Sequence, residues 1–329
     1  MKARGARICP RKFLRALRGV GYRRRAMKLT ALLTLLAALP LYAQVKIEDP
    51  AAEALVATDA KVEKLAGDLK FTEGPVWLAE KKMLIFSDIP AAKLMQWTAD
   101  KGVTEFRPSE NANGNTLDNE GRLVTCQHTG RNVVRTEKDG KITVLVDSHD
   151  GKKLNSPNDV AVKRDGTVWF TDPPYGVPKD QKKEQEGNWV YRFDPETKKT
   201  AIVCKDFDMP NGIAFSPDEK RLYIADSGKG QRVGAFDVKA DGTLSGAVWW
   251  AAGGSDGLRV DGKGNIYTTA GDGARIYNAE GKRIATITIP EHPANCAFGG
   301  EDFKTLFVTA RTGLYSVKLK VGGNPIGKK

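Results

Sequence analysis

One unit, repeated six times, constrains this chain more than any other feature of its sequence. Each copy opens on an oxygen-bearing side chain, continues into a short apolar stretch, passes a turn rich in Asp, Glu and Gly, and ends in a second strand-like run. The copies begin at Glu73 in EGPVW, Asn113 in NGNTL, Asn158 in NDVAV, Asn211 in NGIAF, Asp256 in DGLRV and Asn295 in NCAFG, at spacings of 40, 45, 53, 45 and 39 residues. Units of that length match one four-stranded propeller blade. Short alternating runs such as TVWFTD, RLYIADS and NIYTTA, separated by Asp-Gly, Asn-Gly and Pro-Asp turns, agree with it, and helical periodicity is scarce. The expected fold is all-β: a six-bladed β-propeller over residues 44–329. The longest unit makes room for PKDQKKEQEGN, Pro178 to Asn188, which reads as an exposed loop. Residues 44–68 precede the first unit and are available to supply a strand that closes the ring.

In a propeller the first strand of each blade lines the central channel, so the six opening residues should face one another. A second ring follows 14 or 15 residues later: Asp88, His128, Asp172, Asp226, Ala270 and Ala310. Convergent carboxylates and amides, with no Cys and one nearby His, suit a hard cation with six to eight oxygen ligands. Calcium fits best; zinc, manganese or magnesium would also be compatible with a single divalent site. Glu73 and Asp256 would nearly neutralise the ion, and the amide oxygens of Asn158 and Asn211 would complete the protein ligands, leaving positions open for water or substrate. Pro157-Asn158-Asp159 and Pro210-Asn211-Gly212 are also good turn triplets, as are FTDPPYG and IADSG around Asp172 and Asp226. From the repeat alone, a ligand ring and turn punctuation both remain open.

The net charge of +12 invites a nucleic-acid reading, but the excess sits at one end. Met1 to Ala43 carries 11 Lys and Arg and no acid, which leaves 12 − 11 = +1 on the rest, so a nucleic-acid surface is not expected. Within that end, MKLTALLTLLAALPLYAQ from Met27 reads as a signal peptide, with an apolar run over 29–39 too short to span a bilayer and cleavage after Ala43. Residues 1–43 are thus a leader, with Met27 an alternative start. The mature protein is expected to be exported, periplasmic or secreted, with no stable membrane association. No cysteine follows the leader closely enough to carry a lipid. Cys126, Cys204 and Cys296 are widely spaced and form no C-x-x-C pair; they read as buried small hydrophobes, with one disulfide at most. A nucleophile elbow, an H-E-x-x-H helix, a Walker loop and a dinucleotide fingerprint are all missing.

FTEGPVW, NSPNDVAVKRDGTVWFTDPPYG, MPNGIAFSPDEKRLYIADS and SDGLRVDGKGNIYTTAGDG, spread over Leu69 to Lys318, resemble the gluconolactonase, senescence marker protein and luciferin-regenerating-enzyme-like family of six-bladed propellers. The DPPYG stretch is similar to its bacterial sugar-lactonase branch. The resemblance implies one divalent metal bound at Glu73, Asn158, Asn211 and Asp256, a lactone carbonyl polarised by that metal, and Asp256 as general base towards water. Some relatives carry an Arg two residues before the first Asn, where this chain has Ser156; His128 or Arg131 from CQHTGR would then supply substrate contacts, with Asn113, Asp172 and Tyr175 as further candidates. Two other readings stand beside a sugar lactonase: a phosphotriesterase or aryl-ester lactonase on the same scaffold, and a non-catalytic binding propeller with a structural metal. Pocket lining separates the first two, since aromatic esters call for Trp, Phe and Met, and Trp77, Trp169 and Trp189 are available.

Overall fold

A computed structural model describes residues 45–325; the leader and signal-peptide expectation for residues 1–43 lies outside the described residues. Blade one is built in chain order from strands Thr72–Leu78, Met83–Asp88, Lys93–Thr98 and Gly102–Pro108. Blades two, three and four repeat the plan from Ala112–Leu117, Val160–Val162 and Pro210–Phe215 outward, each an antiparallel four-stranded sheet. The last two blades borrow from the start of the chain. Blade five, from Leu258–Val260 to Arg283–Ile287, gains Val45–Ile47 as a fifth strand, with Val45 opposite Ile287. Blade six has inner strands Pro293–Gly299, Thr305–Ala310 and Gly313–Lys318, and its outer strand is Val62–Ala66, with Val62 opposite Val317. The segment before the first unit does close the ring.

Both faces of every sheet are covered by a neighbouring blade, so the second strands read as nearly continuous apolar runs rather than clean alternations. Period-2 geometry then sends adjacent residues to opposite seams. In MLIF, Met83 and Ile85 pack with Ala112, Leu117 and Leu123 of blade two, whereas Leu84 and Phe86 pack with Ala297, Phe307 and Leu314 of blade six. Trp169 and Phe170 divide in the same way between blades four and two. Six such apolar seams, one between each pair of blades, make up the core. Cys126, Cys204 and Cys296 are buried in three of them as free thiols. The Pro178 to Asn188 insertion is mostly exposed, but Gln185 is buried and its Nε2 donates to the carbonyls of His149 and Lys152, at 3.2 and 2.9 Å, tying the loop to a small hairpin.

Polar bonds stitch the inner strands to one another near the axis. Ser87 Oγ donates to the Asn113 carbonyl (2.6 Å), Thr171 Oγ1 to the Asn211 carbonyl (2.7 Å) and Thr269 Oγ1 to the Ala294 carbonyl (2.6 Å). The Gly114 amide reaches Asn158 O at 2.7 Å and the Gly212 amide reaches Asp256 O at 3.0 Å. Each bond joins a blade to the next at the opening residue of a unit or, for Ala294, one residue before it, so the ring positions are fixed by their neighbours as well as by their own strands.

Candidate active site

The opening residues sit where the inner strand leaves its ladder. Strand pairing slips between Glu73 and Val76, between Ala112 and Asn115, and between Pro210 and Ile213. In blades three and five regular pairing begins only at Val160 and Leu258, two residues after Asn158 and Asp256. A bulge or late start re-aims a side chain away from the sheet faces, here towards the axis. Close approach between blades explains the residue that follows. Gly74 has φ +51°, and a Cβ there would lie 2.0 Å from the Asn113 carbonyl oxygen; a Cβ on Gly257 would lie 2.2 Å from the Asn295 amide.

Glu73, Asn113, Asn158, Asn211 and Asp256 line one cavity of about 380 Å³, joined by His128 and Tyr175. Phe71, Ile89, Ser227, Gly254 and His292 complete its wall. Sequence reasoning missed these five; Phe71, Gly254 and His292 stand two or three residues before an opening residue, a register signal that the repeat contains. Glu73 and Asp256 are both buried acids. Burial, and then the nearby Asp256 carboxylate, push the Glu73 acid well above its usual range; the Gly74 amide, 2.7 Å from Oε2, pulls the other way. Burial pushes Asp256 up to about 7, against a lowering contact from the Asn211 amide. Asn211 Nδ2 also donates to Ser227 Oγ at 3.0 Å, and Ser227 Oγ to the Ser255 carbonyl at 2.7 Å.

Several expected members lie elsewhere. Asn295 is buried behind the cavity; its Oδ1 accepts from the Cys296 amide at 2.9 Å and its Nδ2 lies 3.4 Å from Asp159 Oδ2. Asp172, grouped from sequence with the substrate contacts, is fully buried outside the cavity wall, and its Oδ2 accepts from the Asn155 amide at 2.7 Å. Asp88 and Asp226 do the same for Lys70 and Phe71 and for Asp208 and Met209. These three second-ring aspartates therefore hold the loop that leads into each inner strand, which is the turn role. Arg131 is also outside the wall: Nε donates to the Leu154 carbonyl (2.7 Å) and Nη1 to Gln181 Oε1 (3.1 Å), anchoring the insertion. Ser156 Oγ donates to the Pro173 carbonyl (2.6 Å) and accepts from the Gly176 amide (2.9 Å), bracing the turn that brings half-exposed Tyr175 to the cavity. Trp77, Trp169 and Trp189 pack in or beside the blade seams, away from the cavity.

Beneath the ring, Arg259 Nη1 meets Asp159 Oδ2 at 3.0 Å, both groups buried. Sequence reasoning also missed this pair. Arg259 occupies a unit position filled elsewhere by Val76, Thr116, Ala161, Ala214 and Phe298, and Asp159 one filled by Gly in four copies. A charge at each of two otherwise uncharged repeat positions was the available signal. The direct ion-pair partner of Arg259 is Asp159, while Glu73 and Asp256 share a cavity as two desolvated acids.

Among the described residues no three His, Cys, Asp and Glu side chains come together to hold a metal. The donor set here is two carboxylates with the amides of Asn158 and Asn211, all lining one cavity, so only two of its members belong to those residue types. It fits a hard, oxygen-seeking cation and not a thiolate- or imidazole-seeking one. Two buried carboxylates whose proton affinity is raised by burial, and which form no ion pair among the described residues, are the observation that favours such an ion.

Residues 71–312 match the family model described as SMP-30/Gluconolactonase/LRE-like region. A gluconolactonase of Zymomonas mobilis is 30% identical over 306 residues, 83% of this chain and 85% of that one. Regucalcin of Sus scrofa is 28% identical over 255 residues, 74% of this chain and 84% of its own. The solved structure of a gluconolactonase from Xanthomonas campestris covers 84% of this chain and 95% of its own, with a TM-score of 0.79 and 33% identity. With its six blades, its repeat register and this span of matched residues, the chain belongs to the SMP-30/gluconolactonase/LRE-like family.

Proposed function

We propose that this chain hydrolyses a sugar lactone to the open aldonic acid, with one divalent cation, calcium, held by Glu73, Asn158, Asn211 and Asp256, and that it does so after export. The observation that carries the proposal is the pair of buried, mutually repelling carboxylates sharing a cavity wall with two side-chain amides. The gluconolactonase names of the Zymomonas and Xanthomonas relatives support the substrate class. When bound, the cation supplies positive charge for the carbonyl oxygen of the lactone. Asp256 takes a proton from the attacking water as the new C–O bond forms, and the proton passes to the ring oxygen as the ester C–O bond breaks. A carboxylate whose buried environment moves it towards neutrality suits that task better than a solvent-exposed one. Asn211 holds Asp256 from the side and is itself held by Ser227, and Phe71 and Ile89 add apolar surface to the lining.

The lining favours a polyol over an aromatic ester, because amides, imidazoles and hydroxyls outnumber Phe71 and Ile89 and no Trp or Met lines the cavity. The test is acid release from glucono-1,5-lactone by the chain from Gln44 onward, first with a chelator and then with calcium restored. Activity abolished by chelation and recovered with calcium is the expected result. Turnover unaffected by exhaustive chelation would sink the metal assignment, and no turnover of any sugar lactone with metal present would return the choice to an ester substrate or a binding propeller.

A further inference from the structure

One pair in the cavity has hydrogen-bonding capacity that the four oxygen donors do not use. His128 stands at the second-ring position where blades one, three and four carry aspartates that hold the loop before the inner strand. In blade two that duty passes to Gln127, whose Oε1 accepts from the Glu110 amide at 3.0 Å. The imidazole is thereby released from loop-holding and faces the cavity, with Nε2 3.1 Å from Asn113 Nδ2. Burial drives its pKa down to about 4, so the ring is neutral.

A neutral ring nitrogen that accepts from the Asn113 amide leaves Asn113 Oδ1 buried with no partner. With the amide reversed, the ring N–H would donate to Oδ1 and the NH2 group would be left over instead. In both arrangements one half of the amide is held by the ring and the other is offered to the cavity. The Asn113 backbone serves the blade seam through its carbonyl, which accepts from Ser87 Oγ (2.6 Å) and Asn115 Nδ2 (2.9 Å), so the side chain itself is not needed there. Leaving a buried amide group unpaired is costly, and a ligand hydroxyl would remove that cost.

The geometry points to Asn113 as a specificity-determining residue that hydrogen-bonds a hydroxyl of a polyhydroxylated lactone, and to His128 as the positioning residue that holds its amide. This rests on the lactone reading above and adds the group that distinguishes a sugar lactone from a bare one. A site built to pair a substrate hydroxyl discriminates against the analogue that lacks it.

The experiment compares glucono-1,5-lactone with δ-valerolactone, in the calcium-loaded protein, for Asn113→Ala, His128→Leu and His128→Gln. Asn113→Ala is expected to lower kcat/KM about tenfold on the sugar lactone, mainly through KM, and to leave δ-valerolactone within about twofold. His128→Leu should show the same selective loss, and His128→Gln, whose amide can still meet Asn113, should restore much of it. Calcium affinity by calorimetry should be unchanged in all three. Equal losses on both lactones, no loss on either, or weakened calcium binding by Asn113→Ala would overturn the assignment. If the wild-type protein hydrolyses neither lactone, the hydrolase reading fails while calorimetry with gluconate still tests Asn113: weaker gluconate binding by Asn113→Ala supports it, and unchanged or absent wild-type binding refutes it.

Discussion

At the scale of single residues, the site pairs acids that repel each other in the protein without a cation. Glu73 and Asp256 are buried together, so neutralising one should stabilise the metal-free fold even though it removes a proposed ligand. Glu73→Gln is expected to raise the metal-free melting temperature, by about 2–4 °C for each kcal/mol of relieved strain, and to abolish the rise that calcium produces in the wild type. Thermal melts with chelator and with excess calcium check both halves; a variant that still gains stability from calcium would remove Glu73 from the ligand set. Asp172 gives a second test. Burial raises its carboxyl from 3.8 to about 7, partly offset by the Asn155 amide and by Arg131. A raised acid binds its proton more tightly folded than unfolded, so its stability contribution is full below about pH 4 and is lost as pH climbs through about 7. Asp172→Asn keeps an oxygen for the Asn155 amide and should melt above the wild type at pH 8 and by a much smaller margin at pH 4.5. Parallel melting curves across that range would contradict the shift.

At the scale of elements, the inner strands meet so closely that in blades one, two, four and five the residue after the ring position is a glycine with no room for a side chain. Gly257 packs on the Asn295 amide, which in turn lies against Asp159 of the ion pair beneath the ring. Gly257→Ala should destabilise the fold by about 1–3 kcal/mol through overpacking, and lower calcium affinity as well, because the crowded amide is fixed to neighbours of Glu73 and Asp256. Denaturant melts and calorimetry measure the two effects; a destabilised variant with unchanged affinity would separate seam packing from the site. The same closeness accounts for the division of labour among second-ring residues. A side chain there either holds the preceding loop, as Asp88, Asp172 and Asp226 do, or reaches the cavity, as His128 does once Gln127 has taken the loop.

At the scale of the whole molecule, closure depends on strands far apart in sequence. Val62–Ala66 covers Gly313–Lys318, and without it blade six would end on an unpaired edge beside Leu314 and Val317. Removing the chain through Ala66 should lower the melting temperature by on the order of 10 °C and drive association through the exposed edge. Melting curves and size-exclusion chromatography report this; a monomeric, equally stable truncation would mean that the ring closes without that strand.

The sequence by itself determined the blade count, the all-β class and the register of the ring, because each unit must bury the same apolar pattern against the next and so repeats its spacing. It also singled out Glu73, Asn113, Asn158, Asn211 and Asp256, which the structure brings to one wall. Which repeated polar residues face the cavity and which hold loops was decided only in three dimensions. Asp172 and His128 share a register yet differ in duty, because the neighbour that satisfies the loop amides differs, and Arg131 is turned away by carbonyls at 154 and 155. The repeat register marks Phe71 and His292 only by their place before an opening residue; that they and Ser227 meet at the axis depends on closure of all six blades, which no single unit's pattern carries.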